Sequence, residues 1–420
     1  SFTWDLTNSD VYLTTGSSNS GTWFLLGHQS PNVSLTAITT HIYRSNFTVM
    51  VGAASLWKFA SSRLNGMIIN ATDFNFTISC QYGLNIIEAA SLRDARLSFS
   101  HVTARMDVVS GCSLYVINVS ECRQCQFSLT QESRVEVTGQ PTSIQVAHRM
   151  DIACVVSWLI RASSLSFTTP QNAKQTLTDL WTFDGATAVT GLQFVFEDSD
   201  LIVPSGFRTT VLFVASSCLN SSIVVLRSSI TVSASTLSSL ITINGAMTGT
   251  VLQIFDSELR SQLLTPVDYS NMTSVGLFGR GGANGSSWAA SCTSQSMVAA
   301  SNSSVSIVRS NVSMVNNGNL SRFPFAFLWD RASVPLTRVV VCGSQFQRSG
   351  ISLVNFTRVT ATSACLGGSA SDETGMELRC LPLNDPFCPS TPIVTFLTHT
   401  TSSTGTSTPT ATPTATVTLT

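Results

Sequence analysis

The acidic run at positions 197–200 contains the carboxylates of this sequence that are best placed for catalysis. Its residues are Glu197, Asp198, Ser199 and Asp200. Hydrolysis of a glycosidic bond needs two carboxyl groups about 5–10 Å apart, and within one strand Asp198 and Asp200 would lie on the same face. A solvated acidic turn is the competing interpretation. We favour it, because a single acidic run of this kind is more often a turn in contact with water.

The pair Cys122 and Cys125 has the spacing of a thiol-disulfide redox motif. Such a motif opens a helix in a βαβ unit, whereas here it precedes the strand-like segment 126–129. Structural disulfides are therefore the favoured interpretation. The chain has eleven cysteines, so at least one is free or paired outside the chain if all the others are bridged. The candidates for disulfide bonds are Cys112, Cys122, Cys125, Cys365, Cys380 and Cys388.

Metal and cofactor chemistry finds no support in the sequence. The histidines are scattered singly, and a zinc site would need a second pair of ligands at a suitable spacing. Lysine occurs only at Lys58 and Lys174, which leaves few candidates for a catalytic amine. We therefore predict no catalytic residue, no metal and no cofactor. The histidines are His28, His41, His101, His148 and His399.

The composition indicates a folded chain with an uncharged polar surface. Hydrophobic residues make up 43% and charged residues 11%, and Ser and Thr supply most of the remainder. The formal net charge of -1 gives no basic surface for nucleic acid and no polybasic patch for an anionic membrane. We therefore expect neither as a partner recognised by charge.

The sequence contains twelve Asn-x-Ser/Thr acceptors for N-glycans, about twice the number that its content of Asn, Ser and Thr gives by chance. This excess predicts a secreted or cell-surface glycoprotein. The start of the chain, Ser1 to Asp5, lacks the features of a signal peptide, and no apolar run approaches the roughly 20 residues of a membrane-spanning helix. We expect a processed or excised chain whose membrane anchor, if it has one, lies outside this sequence. The acceptors are Asn32, Asn46, Asn70, Asn75, Asn118, Asn220, Asn271, Asn284, Asn302, Asn311, Asn319 and Asn355.

The chain contains an irregular repeat with the pattern apolar, any, any, Ser, any, apolar. Ser199, Ser228 and Ser257 recur at one constant interval, which is in the range of a solenoid period. Elsewhere the spacing varies, which indicates insertions that loop out of some coils. A degenerate copy surrounds Ser133, since Thr130 replaces its first apolar residue. The regular copies are centred on Ser45, Ser62, Ser100, Ser163, Ser199, Ser228, Ser257, Ser310 and Ser344.

Each repeat predicts a strand, a tight corner and a second strand. The flanking segments, such as 192–196 and 223–226, alternate β-branched and aromatic residues. Ser and Asp at the corners can bond the local backbone. A β-sandwich or propeller would need frequent Asn-Gly or Asp-Gly hairpins, and these pairs fall mostly outside the corners. The pattern therefore favours an all-β fold, a parallel β-helix of irregular coils with ladders of like residues.

Segments such as 221–230 and 304–312 resemble repeats of the dispersed gene family surface proteins of trypanosomes and their free-living kinetoplastid relatives. The resemblance covers about residues 47–368 and its motifs carry little information. It implies a pectin-lyase-like parallel β-helix in a Ser- and Val-rich surface glycoprotein that acts in adhesion. No catalytic residue carries over from it.

The sequence predicts four regions. Residues 1–40 form an N-terminal cap or first coils, 41–364 the solenoid, and 365–390 a Cys-containing cap over the last coil. From residue 391 to 420, Ser, Thr and Pro predict a disordered, mucin-like stalk.

We expect a non-catalytic protein of adhesion or the surface coat, with host or prey surface proteins or glycans as partners. The alternative is a carbohydrate-active β-helix, either a polysaccharide lyase or a glycoside hydrolase, which rests on analogy of fold. For that alternative Trp181, Trp288 and Trp329 could form a sugar platform, although buried anchors of loops are the favoured interpretation.

Overall fold

A computed structural model of the chain describes residues 2–14, 22–27, 34–108, 113–139, 141, 143–152, 155–168, 177–183, 188–204, 208–214, 216–234, 237–243, 247–264, 274–280, 300–301, 303–316, 325–330, 338–349, 377–381, 390–395 and 416–418. These residues form strands, corners and turns, and no helix occurs among them. In the described ranges there is consequently no helix of the length and apolarity that a membrane span requires.

The strands stack in parallel as a β-solenoid, which confirms the predicted fold class. Three sheet faces, named A, B and C in chain order, enclose the main apolar core, and a smaller buried cluster that includes Val195, Val224 and Phe255 lies apart from it. In the coil that starts at Leu192, strand β17 (Leu192–Glu197) lies on face A, β18 (Asp200–Val203) on face B and β19 (Arg208–Val214) on face C. Each pairs in parallel with the equivalent strand of the next coil, β21 (Ser222–Leu226), β22 (Ser229–Ala234) and β23 (Leu237–Ile243). The antiparallel sandwich that the pattern argued against is thereby excluded for these coils.

The strands divide among the faces as follows. Face A contains β1 (Phe2–Thr7), β5 (Ile38–Tyr43), β10 (Cys125–Thr130), β13 (Val156–Arg161), β17 (Leu192–Glu197), β21 (Ser222–Leu226), β25 (Val251–Phe255), β29 (Ser304–Val308), β32 (Arg338–Cys342) and β34 (Glu377–Leu381). Face B contains β2 (Asp10–Thr14), β11 (Arg134–Gly139), β14 (Ser164–Thr168), β18 (Asp200–Val203), β22 (Ser229–Ala234), β26 (Glu258–Leu263), β30 (Asn311–Asn316) and β33 (Gln345–Ser349). Face C contains β3 (Thr22–Gly27), β9 (Ser113–Arg123), β12 (Ser143–Ile152), β15 (Leu177–Phe183), β19 (Arg208–Val214), β23 (Leu237–Ile243), β27 (Ser274–Arg280) and β31 (Phe325–Asp330).

Three long strands bend from one face to the next: β6 (Asn46–Asn65), β7 (Ile68–Arg93) and β8 (Arg96–Val108). A small parallel sheet joins β16 (Ala188–Thr190), β20 (Ser217–Leu219), β24 (Met247–Thr248) and β28 (Ala300–Ser301), and β4 (Ser34–Thr36) pairs with β6. Near the C-terminus, β35 (Ile393–Thr395) pairs with β36 (Thr416–Thr418) in antiparallel fashion and contacts β21. The predicted boundaries at 365 and 391 and the stalk stay predictions.

Inward residues of successive coils stack like on like, as the repeat predicts. On face A one column contains Phe127, Trp158 and Phe194, all at most 5% exposed. The rings of Phe127 and Trp158 stack with centroids 4.3 Å apart. Burying one such side chain contributes roughly 1.5–3 kcal/mol. The shared core therefore stabilises coils that are too small to be stable alone.

The corner between faces A and B depends on a residue in the left-handed region, and in the coil of Ser133 two such residues, Gln131 and Glu132, follow one another. For most side chains this conformation costs about 1–2 kcal/mol. A hydrogen bond between coils offsets the cost, as when the Arg227 N–H donates to the Phe255 carbonyl at 3.0 Å. Residues with positive φ in this column are Asn8, Arg44, Asp73, His101, Glu132, Ala162, Asp198, Arg227, Asp256, Arg309 and Gly343.

The repeated serine follows this residue, and its hydroxyl joins two coils. Ser228 Oγ donates to the carbonyl of Leu226 at 2.7 Å and accepts the N–H of Ser199 from the preceding coil at 3.2 Å. We call this chain of contacts the serine ladder. Its remaining links have the Ser45, Ser133, Ser199, Ser257, Ser310 and Ser344 hydroxyls as acceptors from the coil before.

The ladder tolerates different lengths of chain between its links. The bond from Ser228 to Ser257 joins positions 29 apart, whereas the bond from Ser257 to Ser310 joins positions 53 apart. The donor and acceptor atoms are 3.2 and 3.1 Å apart in the two cases. Added sequence therefore leaves the corner geometry unchanged.

Two of the predicted corner serines, Ser62 and Ser100, do not belong to the serine ladder. Ser62 lies inside β6 and is buried, and Ser100 directly precedes the left-handed residue, His101. In these coils Phe74 and Val102 occupy the ladder position, so the hydrophobic core replaces the hydroxyl. The copy around Ser133, which the pattern made degenerate, has one extra residue at its corner, and its serine still belongs to the ladder.

A second corner closes each coil before face A. Gly66 (φ 73) and Gly191 (φ 70) lie at this corner, so Asn65-Gly66 forms a corner rather than a hairpin. The residue directly after the left-handed residue of this second corner is apolar in an early coil, where it is the buried Met67. In later coils it carries a hydroxyl, at Ser221 and Thr250. The sequence repeat did not reveal this corner, since its residue types change along the chain.

Replacing a ladder serine should destabilise the solenoid. Ser228→Ala removes the acceptor for one buried N–H and the donor for one carbonyl, so we expect a loss of about 1–3 kcal/mol in the free energy of unfolding. Ser229→Ala, at a half-buried position of β22, should cost no more than about 0.5 kcal/mol. Urea denaturation followed by circular dichroism measures both. Equal losses in the two variants would contradict a special role for the ladder.

Candidate functional site: the charged corner

The acidic run at 197–200 lies at the corner between faces A and B. Glu197 ends β17, Asp198 occupies the left-handed position with φ 48, and Asp200 begins β18. The regular strand alternation that was expected to align Asp198 and Asp200 is thus interrupted between them. Both aspartates are exposed, whereas Ser199 between them is buried in the ladder.

Arg227 of the next coil binds two carboxylates of this run. Its Nε lies 2.6 Å from Asp198 Oδ1 and its Nη2 lies 2.8 Å from Asp198 Oδ2. The same Nη2 lies 2.7 Å from Glu197 Oε1. Asp198 and Arg227 face each other because both occupy the left-handed position in adjacent coils.

Glu197 is a buried carboxylate held between two guanidinium groups. It is only 3% exposed, and Arg161 of the preceding coil places its Nε 2.6 Å from Glu197 Oε2. With Arg227 on the other side, both carboxylate oxygens are paired. Such pairing is the condition under which a buried charge is tolerated.

The electrostatics of the corner keep Asp198 ionised. The hydrogen bond from Arg227 lowers the pKa of the Asp198 carboxyl, and the hydrogen bond to Asp198 raises the pKa of the Arg227 guanidinium. A general acid at neutral pH needs a raised pKa instead. The arrangement is therefore suited to joining coils, and the Asp198 carboxyl is a poor proton donor.

Ion pairs between adjacent coils recur along the corner column. Arg309 donates through Nη2 to Asp256 Oδ2 at 2.7 Å, and the hydrogen bond to Asp256 raises the Arg309 pKa. In the early coils Asp73 lies 3.8 Å from Arg44 Nε and 2.5 Å from His101 Nδ1. Sequence reasoning missed these partners, because it could not assign Arg44, Arg227 and Arg309 to the same column as the aspartates.

Cys122 and Cys125 are two of the six disulfide candidates. Both are free and buried. Cys125 directly follows the left-handed residue of the second corner, Gln124, and its thiol donates to the carbonyls of Arg123 at 3.3 Å and Leu92 at 3.5 Å. Burial raises the pKa of the Cys122 thiol, which disfavours the reactive thiolate. The Cys125 thiol thus donates to carbonyls of its own and the preceding coil, as the Ser163 hydroxyl does at the first corner.

Of the other four disulfide candidates and the three tryptophans, the structure describes Cys380, Trp181 and Trp329. Cys380 lies in β34, while Cys112, Cys365 and Cys388 lie outside the described residues. Trp181 lies in β15 with 0% exposure, so it belongs to the core and cannot stack on a sugar. Trp288 lies outside the described residues, and Trp329 lies in β31.

Six of the glycan acceptors lie in the described part of the chain. Asn46, Asn75 and Asn311 share one outward column beside the first corner, and Asn220 lies at the second corner. All four are exposed, whereas Asn70 and Asn118 are half-buried. Asn32, Asn271, Asn284, Asn302, Asn319 and Asn355 lie outside the described residues.

Within the described ranges, no group of three or more His, Cys, Asp or Glu side chains is arranged to hold a metal ion. Comparison with known proteins adds no relative, since no family model, curated protein or solved structure matches the chain.

The corner ion pair should give a pH-dependent contribution to stability. Because folding lowers the Asp198 pKa, its contribution is present above the unfolded pKa of about 3.9 and is lost as the pH falls through the folded value. We expect Asp198→Asn to lower Tm at pH 7 by on the order of 1–3 °C, with a difference that shrinks below about pH 4. Asn tolerates the left-handed conformation, so backbone strain is not added. Thermal denaturation across this pH range measures the effect.

Asp200→Asn is the matched control, since Asp200 lies outside the pairs with Arg227. Its Tm difference from the wild type should be smaller at pH 7. A difference for Asp198→Asn that persists unchanged at pH 2.5, roughly a unit below the ordinary carboxyl pKa, would show that charge is not the cause.

Proposed function

We propose that the chain is a cell-surface or secreted repetitive glycoprotein that acts in adhesion or in a surface coat and has no catalytic centre. The observation that carries the proposal is the outward placement of the acceptors Asn46, Asn75, Asn220 and Asn311 on the solenoid. A glycan at any of these positions extends into solvent without displacing the core. The resemblance of the repeats to kinetoplastid surface proteins supports the same function.

The outer side of face A in the early coils suits the recognition of surface proteins or glycans of a host or prey organism, whereas in the later coils Val195, Val224 and Phe255 on that side are buried. Stacked coils repeat polar groups at about 4.8 Å, so a face offers many weak contacts along one line. On face A, for example, Ser128 Oγ lies 3.2 Å from Ser98 Oγ of the preceding coil, and both side chains are half-buried. Hydroxyl-rich surfaces of low charge favour hydrogen bonding and shape over electrostatic attraction.

The chemistry of the corner favours binding over catalysis. The carboxylates that an enzyme of this fold could use, Glu197 and Asp198, are bonded to Arg161 and Arg227. A glycosidase needs one carboxyl that can release a proton and a second that is free to act as base or nucleophile. The hydrogen bond from Arg227 lowers the pKa of Asp198, which opposes the first role. Arg161 and Arg227 pair with both carboxylate oxygens of Glu197, which opposes the second role.

Binding and turnover can be tested on the same protein. The purified chain is incubated with surface extracts and a glycan panel, and both bound material and new reducing ends or unsaturated products are measured. We expect binding without products, and equal binding by the double variant Asp198→Asn/Asp200→Asn. Products made by the wild type and lost in the double variant would overturn the proposal in favour of a carbohydrate-active enzyme.

Glycan occupancy provides a second test. After expression in a eukaryotic secretory host, enzymatic release of N-glycans in 18O-labelled water followed by peptide mass spectrometry should mark the exposed Asn46, Asn75, Asn220 and Asn311. Asn85, which lies in β7 without the acceptor motif, is the internal control. A secreted, folded chain that carries no glycan at the four sites would remove the main support for the proposal.

A further inference from the structure

An apolar cavity of about 120 Å³ lies inside the early coils. Trp57 and Trp181 belong to one column of face C, separated by Ile87, Ile117 and Ala147, and both line the cavity. Four steps of about 4.8 Å separate the two tryptophans, so the cavity wall extends over roughly 19 Å along the axis. The cavity is thus a long space within the core.

The cavity arises where small side chains replace large ones. In one column of face B, Ala104 and Val135 follow Phe76, and the column returns to larger residues at Leu165 and Leu201. Two adjacent coils therefore fill less of the interior than their neighbours do.

The fractional exposure of inward residues agrees with this conclusion. Phe99 and Leu129 on face A are only half-buried, although they point into the core. Phe196, later in the same column, is 0% exposed, and so is Leu201 on face B. The later coils are closely packed, and their cavity at Phe194 and Ile223 measures only about 20 Å³.

The apolar walls of the cavity disfavour the binding of water. They are almost entirely carbon, and a water molecule needs two to four polar partners to be held in such a space. In the described part of the chain, the indole N–H groups of Trp57, Trp158 and Trp181 have no hydrogen-bond acceptor. The π face of an aromatic ring is a weak acceptor for such donors.

We propose that this cavity, which we name the coil cavity, binds an uncharged apolar molecule about the size of a single aromatic ring. An engineered apolar cavity of about 150 Å³ stays dry and binds benzene or xenon, so the volume is adequate. Charged and strongly polar ligands do not fit, since the walls supply almost no polar atoms. Access requires only a transient local opening of the coils. This binding site is independent of the adhesive function proposed above.

Benzene and xenon are the probes for the full chain. We expect benzene to raise Tm by on the order of 1–3 °C and to shift the methyl resonances of Val116, Leu129 and Val135 in a dose-dependent manner. Both effects should disappear in Val135→Phe, which fills the cavity. If that variant does not fold, Ala104→Leu replaces it in the same measurements.

A matched pair of substitutions tests the cavity without a ligand. Val135→Leu adds volume at a half-buried wall position and should leave Tm unchanged or raise it, whereas Val232→Leu, at a position with 0% exposure, should lower it. Absence of any shift at saturating benzene would overturn the proposal. So would shifts of equal size in a folded variant whose cavity is filled, because the ligand would then bind elsewhere.

Discussion

A chain that coils around a core must change direction at fixed points without leaving backbone groups unpaired. Here that requirement is met by a residue at positive φ followed by a side chain that joins two coils. The Asp198-Ser199 and Arg227-Ser228 corners show both parts: the left-handed residue donates its N–H to the next coil, and the serine bonds its own coil and the one before. Sheet register, core columns and charge pairs all depend on this corner, since it fixes which residues become neighbours.

The sequence was sufficient for the class of fold, because the recurring serine is itself part of the corner. Ser199, Ser228 and Ser257 were recognised from spacing, and their buried hydroxyls explain why the spacing is kept. Ser62 and Ser100 matched the same short pattern without the role, since the pattern does not encode φ. A motif defined by residue type alone cannot separate a ladder serine from a serine within a strand.

The charged corner was only half predictable. The acidic run could be identified from sequence, but its chemistry depends on Arg161 and Arg227, which are 36 and 29 positions away from their partners. Only the register of the stack brings them together. For a related reason the spacing of Cys122 and Cys125 did not show that the Cys125 thiol donates to backbone carbonyls of two coils at the second corner.

The unequal chain lengths between corners have a consequence for how such a protein can diversify. The Ser257 and Ser310 corners are joined across 53 positions by the same bond that joins Ser228 and Ser257 across 29. A lineage could therefore lengthen, exchange or rewrite the segment between two corners while the stack retained its register. Variation would accumulate in these segments, and the corners would be preserved by the physical demands of closure.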